Sequence, residues 1–172
     1  MAGDVLPIPI DILAPADSAL QAVESVFRVH AVRMKSIAYN LLGNQPDAED
    51  AVQEAFLRSC RSRDAFRNQA SLHTWVYRIL INLCVDEGRR RRRTPWQNAG
   101  TETESPQTGA DVRAALRQAL DRLPVRQRTV FLMAAVEGLP HAEIAAILEI
   151  SETNSRTLLL DARRELQTIL RA

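Results

Sequence analysis

The chain is 172 residues long, 46% apolar and 25% charged, with a formal net charge of +1. That length holds one ordinary domain or two small ones, and near-neutral charge gives no overall signal for an anionic partner. No apolar run approaches the roughly 20 residues of a membrane span, and the proline-broken start, without basic residues, is a poor signal peptide, so a cytoplasmic protein without membrane insertion is expected.

In chain order, residues 1–17 form a proline-rich extension with an apolar alternation at Val5, Ile8, Ile10, Ile12 and Leu13. It reads as an edge strand, an arm for a partner, or a disordered end. A helical pattern starts near Ser18. Leu20, Val23, Val26, Phe27, Met34, Ile37, Ala38, Leu41 and Leu42 mark one stripe, and Gly43-Asn44 ends it. Asp47 is expected to cap a second helix, Ala48 to about Arg61. Its buried face is Ala51, Val52, Ala55 and Phe56, and its outer face is Glu49, Asp50, Gln53 and Glu54. Carboxylates in the first turns suit the helix dipole. With no His, Cys or Gly-rich loop beside them, they read as a solvated face or a surface for a basic partner, not as a catalytic pair.

A short polar connection, residues 65–72, leads into the stretch Leu72 to Arg93. Ser71 is placed to cap it. Leu72, Trp75, Val76, Ile79, Leu80 and Leu83 recur at the spacing of a buried helical face. The other face carries His73, Thr74, Tyr77, Arg78, Asn82 and Asp86, which include groups that stack on bases and bond their edges. Gly88 reads as a terminator, and Arg89 to Arg93 as a basic loop. Five adjacent guanidiniums repel one another, so the loop is either solvated or holds phosphate. Residues 18–93 thus suggest three or four antiparallel helices.

Residues 94–110 lose all periodicity and read as a flexible linker. In residues 111–172, Asp111 is expected to cap a helix carrying Ala115, Leu116, Ala119, Leu120 and Leu123. Pro124 breaks the chain, and a helix from about Arg126 to Glu137 follows. After Gly138-Leu139-Pro140 comes a helix-turn-helix pattern: His141 to Leu148, a turn Glu149-Ile150-Ser151 with Ile150 inward and Ser151 capping, then Glu152 towards Leu170. The second helix has Leu159, Ala162, Leu166 and Ile169 buried. The expected fold class is all-α, two small helical domains joined by a linker. Cys60 and Cys84 lack metal-ligand spacing and read as small buried hydrophobes. His30, His73 and His141 lie in three separate segments, so no catalytic or metal site and no cofactor is expected.

LLGNQPDAEDAVQEAFLRS resembles region 2.1–2.2 of the sigma-70 family, AFRNQASLHTWVYRILINLCVDEGRRR resembles regions 2.3–2.4, and ALDRLPVRQRTVFLMAAVEGLPHAEIAAILEIS resembles region 4. They occur in order, over residues 22 to 170, as in the small extracytoplasmic-function (ECF) group of bacterial RNA polymerase sigma factors. The resemblance implies a sigma factor without catalytic activity that directs core RNA polymerase to −35 and −10 promoter elements and melts the −10 region. It implies docking of Asp50, Gln53 and Glu54 on the polymerase β′ subunit, and a region 4 contact with the β subunit. It implies −10 contacts from Asn68, Tyr77, Arg78, Asn82, Arg89, Arg90 and Arg91, and capture of a flipped base, which costs a few kcal/mol of stacking. It places Ser151, Arg156, Thr157 and Arg163 at the −35 element, and an anti-sigma factor among the partners.

One stretch departs from the family's GTVKSRLHRAR pattern. Here it reads TNSRTLLLDAR, Thr153 to Arg163. Ser155 replaces a buried aliphatic residue and is expected to loosen packing. Leu158 and Leu160 stand where polar groups usually face DNA, and Asp161 brings negative charge near phosphate. Leucine cannot make the bidentate contacts that read guanine, though it can touch a thymine methyl. Two other readings stay open: an autonomous helix-turn-helix regulator, and a sigma-like interaction module with weakened −35 binding.

Overall fold

The computed structural model describes residues 16–63, 66, 71–93 and 108–171. Among these the regular structure is entirely helical: α1 (Ala16–Leu42), α2 (Gln45–Arg61), α3 (Leu72–Arg93), α4 (Thr108–Arg122), α5 (Val125–Phe131), α6 (His141–Leu148) and α7 (Glu152–Arg171). The all-α class is as expected. A π-helical turn, Leu132–Val136, continues α5. The readings of residues 1–15 and of most of the linker, 94–107, lie outside the described residues.

Three helix ends differ from the sequence reading. Gly43, at φ +91°, closes α1 and donates its N–H to Tyr39 O at 2.8 Å. The next helix then starts at once, with Asn44 and not Asp47 as its cap: Asn44 Oδ1 accepts the Asp47 N–H at 2.9 Å. Pro46 is tolerated in this first turn because its missing N–H would have had no helical partner. The carboxylate of Asp47 is thereby freed to pair with Arg91. Similarly, α4 starts at Thr108, so Asp111 lies inside the helix instead of capping it.

The third difference matters most. α3 does not stop at Gly88 but continues to Arg93. Glu87 accepts hydrogen bonds from Arg90 Nη2 at 2.8 Å and from Arg91 Nε at 3.0 Å, and Arg91 Nη1 reaches Leu42 O at 3.3 Å. Such one-turn pairs, with the tertiary anchor on Asp47 and Leu42, offset the penalty of about 1 kcal/mol for a mid-helix glycine. The arginine run is therefore helical; Arg89 and Arg90 are exposed on it, whereas Arg91 turns back onto Glu87 and Leu42.

α1, α2 and α3 pack around Phe27, Met34, Ile37, Val52, Val76 and Leu80. The same apolar core continues without a break into Val130, Met133, Ile144, Ile147 and Leu159. A smaller cluster of Ala119, Leu123, Ala162 and Leu166 ties α4 to α7. α4 also reaches α1, where the Arg117 guanidinium lies 5.2 Å from the centre of the Tyr39 ring and bonds Tyr39 O at 3.2 Å. That is a cation on the carbonyl end of a helix, where the dipole favours it.

The buried face of α3 is rotated from the expected one. Thr74, Val76, Tyr77, Leu80, Ile81 and Cys84 are buried, whereas Leu72, Trp75, Ile79 and Leu83 are only half-buried. The half-buried set still packs on the core. α3 is covered by α1 and α2 on one side and by α6 on another, so its apolar stripe has to be broad. Cys84 is buried and Cys60 half-buried, both as free thiols. Burial pushes the Cys84 thiol up to about 12, which leaves it a small hydrophobe at neutral pH.

Candidate nucleic-acid interface

On α2, Glu49, Asp50 and Gln53 are exposed and Glu54 is half-buried. Glu54 accepts from Arg58 Nε at 2.7 Å, and Glu49 from Gln45 Nε2 at 2.8 Å. The face is acidic, sits on the first half of its helix and is backed by the rigid α1–α2–α3 core. The edge contact between Phe27 and Phe56, 5.1 Å between centroids, holds it to α1.

On α3 the structure divides the expected base-reading residues. Tyr77, expected on the outer face, is fully buried. Its hydroxyl meets His30 Nδ1 at 3.3 Å, which satisfies the phenol inside the core. Burial raises its pKa well above the usual phenol range; Arg33 opposes the shift, and the Glu143 and Glu137 carboxylates add to it. Thr74 is also buried and shares a hydrogen bond of 2.7 Å with Ser71, whose hydroxyl accepts the Thr74 N–H at 3.3 Å. Trp75 is half-buried against Phe66, 5.5 Å between centroids.

Arg78 is turned to α6. Its Nη2 donates to Ala146 O at 2.7 Å, its Nε to Ile147 O at 3.3 Å, and its Nη1 pairs with Glu149 at 2.8 Å. These carbonyls belong to the last turn of α6, which lacks helical N–H partners and carries the negative end of the dipole. Arg91 is likewise committed to Asp47, Glu87 and Leu42 O. Asn82, Arg89 and Arg90 remain exposed. Asn82 lies one turn beyond Arg78, and Arg89 two turns further on the same stripe. Asn68 falls outside the described residues.

In the helix-turn-helix, Glu149 takes the left-handed conformation, φ 55°, that turns the chain between α6 and α7. Ser151 caps α7 as expected, accepting the Asn154 N–H at 3.1 Å. Arg156, Thr157 and Arg163 are exposed on α7. Arg156 pairs with Glu152 at 3.1 Å, and the Thr157 hydroxyl donates to Thr153 O at 3.0 Å.

Ser155 corrects the expectation of loosened packing. It is fully buried, and its hydroxyl lies 2.8 Å from His141 Nδ1 on the first turn of α6. A polar bond thus replaces an apolar contact between the two helices. Ser155→Ala removes the partner of a half-buried imidazole nitrogen and is expected to cost about 1 kcal/mol. Urea unfolding at neutral pH measures it, and a cost below about 0.5 kcal/mol would show that the bond contributes nothing. Leu158, expected to be exposed, packs half-buried against the core. Leu160 is exposed, and Asp161 is half-buried.

One cluster was not legible in the sequence. His30 of α1 and His73 of α3 stack with centroids 5.7 Å apart, and His30 also meets the Tyr77 ring edge-on at 5.6 Å. His73 Nε2 lies 3.5 Å from Glu143 of α6. Burial, then the neighbouring His73 and Arg33 charges, lower the His30 pKa from its usual 6.5, while Glu143 opposes them. The unfolded chain therefore binds this proton more readily than the folded one. Stability present above the ordinary histidine value of 6.5 is lost as pH falls from there through the lowered value. His30→Gln is expected to flatten the decline in melting temperature between about pH 7 and pH 5; an unchanged slope would assign it to other groups. Among the described residues no group of three or more His, Cys, Asp or Glu could hold a metal ion, and no helix is long and apolar enough to cross a membrane.

Residues 26–94 match the family Sigma-70 region 2, and residues 113–166 match Sigma-70, region 4. The chain is 32% identical over 167 residues to the ECF RNA polymerase sigma factor SigE of Mycolicibacterium smegmatis, covering 89% of this chain and 63% of that protein. It is 30% identical over 153 residues to SigM of Mycobacterium tuberculosis, covering 87% and 77% of the two chains. It therefore spans less than two thirds of the length of SigE. Two solved structures share the fold. One is CnrH in complex with the cytosolic domain of CnrY, with a TM-score of 0.69, 22% identity and coverage of 90% of this chain and 94% of that one. The other is the sigma factor RpoE in complex with the anti-sigma factor NepR from Bartonella quintana, with a TM-score of 0.65, 23% identity and coverage of 88% and 98%.

Proposed function

This chain belongs to the sigma-70 family, in its ECF group of RNA polymerase sigma factors, and from that premise we propose that it directs core polymerase to promoters and opens their −10 region. The observation that carries the reading is the presence of both regions in order on one chain, each with its own outward face. An autonomous regulator would need the exposed cationic face of α7 but has no use for the acidic face of α2.

In this reading Asp50, Gln53 and Glu54 dock on the β′ subunit. Asn82, Arg89 and Arg90, with Asn68 in the preceding connection, meet the −10 strand. Ser151, Arg156, Thr157 and Arg163 meet the −35 element. Residues 18–93 and 111–172 act as two modules, with residues 94–110 as the tether that lets them part on polymerase. Tyr77 is scaffold: it braces α3 against α1. Arg78 reaches DNA only after leaving α6, so promoter engagement requires α3 and α6 to separate. An anti-sigma factor that holds them together would keep the protein inactive. The protein works in the cytoplasm and binds and positions without catalysing a reaction of its own. Reconstitution with purified core polymerase on a promoter library tests this: transcripts should start at sites sharing −35 and −10 elements. Binding of DNA without polymerase, and no start sites with it, would favour the autonomous regulator.

A further inference from the structure

We infer that Leu160 is a specificity-determining residue that reads the 5-methyl group of a thymine in the −35 element. The inference rests on the reading of α7 as the −35 helix. At ~100° per residue, exposed Thr153, Arg156, Thr157, Leu160, Arg163 and Arg164 fall within an arc of ~120°. Leu160 lies at the centre of that arc and is 48% exposed. The other leucines near it are turned away: Leu159 and Leu166 are buried and Leu158 packs half-buried on the core. Asp161, which would repel phosphate, is half-buried and lies outside the arc.

The chemistry of this arc selects the ligand. Arginines on its flanks suit phosphates and guanine edges, and threonine hydroxyls suit either base edges or backbone. Leucine has no donor or acceptor. Pressed against a polar base edge, it would strip water from groups that it cannot satisfy. The thymine C5-methyl is the apolar group that the major groove presents. A leucine at the centre of a cationic face therefore fits an A·T pair whose thymine methyl points at α7, with neighbouring contacts fixing the register.

The test uses the full-length protein with core polymerase on a promoter fragment selected by transcription. Each −35 thymine, on either strand, is replaced singly by uracil, which keeps pairing and removes only the methyl group. Affinity is expected to fall about fourfold at one position, the equivalent of one buried methyl, and to be unchanged at the others. With Leu160→Ala, and with Leu160→Gln as a second exposed substitution, that loss should vanish. Three outcomes overturn the inference: uracil tolerated at every position while −35 base-pair changes still weaken binding, an equal loss with both Leu160 variants, or a −35 consensus lacking A·T pairs. If −35 changes have no effect at all, the assignment of α7 itself falls, and the inference with it.

Discussion

Replacing Asp50 and Glu54 by lysine is expected to lower affinity for core polymerase by about 100-fold or more, because each change both removes an attraction and inserts a repulsion at a charged interface. The two residues lie one turn apart on α2, Asp50 exposed and Glu54 half-buried. Neither contributes to the core that holds α1, α2 and α3 together. The fold should therefore survive, which circular dichroism and an unchanged urea midpoint would verify. Glu54 currently pairs with Arg58 at 2.7 Å, and a lysine there also sets two cations at helical spacing, at a cost of a few tenths of a kcal/mol. That is small against the interface effect. Affinity is read by fluorescence anisotropy of the labelled protein against core polymerase at two salt concentrations. A weakened interaction that also loses salt dependence supports the acidic face as the docking surface. Unchanged affinity would remove it and direct attention to other outward surfaces of α1 or α3.

Asn82→Ala should slow promoter opening by about 10- to 100-fold, the range of one good side-chain–base contact, while core affinity stays unchanged. Asn82 is exposed and one helical turn from Arg78. An amide can donate to and accept from the same base edge, which alanine cannot. The readout is permanganate reactivity of −10 thymines, or fluorescence of a base analogue placed there, in a complex of known occupancy. Equal loss of opening and of core binding would mean that Asn82 supports the fold or the polymerase contact instead. The geometry adds an expectation for the free protein. Arg78 is held by Ala146 O, Ile147 O and Glu149, so a −10 single strand should bind the free chain more weakly than it binds the holoenzyme. Comparable affinities would show that α6 does not obstruct this face.

Much of the architecture was readable from local pattern. The i, i+3, i+4 recurrence located the helices, Gly43 marked a real stop, and the span His141–Leu148 followed by a Ser151 cap matched the structure. The acidic face of α2 was legible too, because outward residues on an amphipathic helix follow from the inward ones. Local signals failed where two of them competed. Asn44 and Asp47 are both good caps, and the choice fell to Asn44 once Asp47 found Arg91 across the fold. Gly88 looked like a terminator, yet the pairs made by Glu87 and Arg91 carried the helix through it.

The sequence by itself determined an all-helical chain, the order of its helices, a capped helix-turn-helix and the family regions that it matches. These depend on contacts between residues three or four apart, or on motifs short enough to read directly. Only the tertiary structure decided what lies against each helix. It turned Tyr77 inward onto His30, stacked His30 on His73, joined Ser155 to His141, and set Arg78 on the end of α6. Each of these contacts joins residues on different helices, 14 to 69 positions apart. A one-helix pattern shows that a face is apolar or polar, but the partner that makes a buried phenol, hydroxyl or guanidinium tolerable is supplied by another helix, through the three-dimensional packing alone.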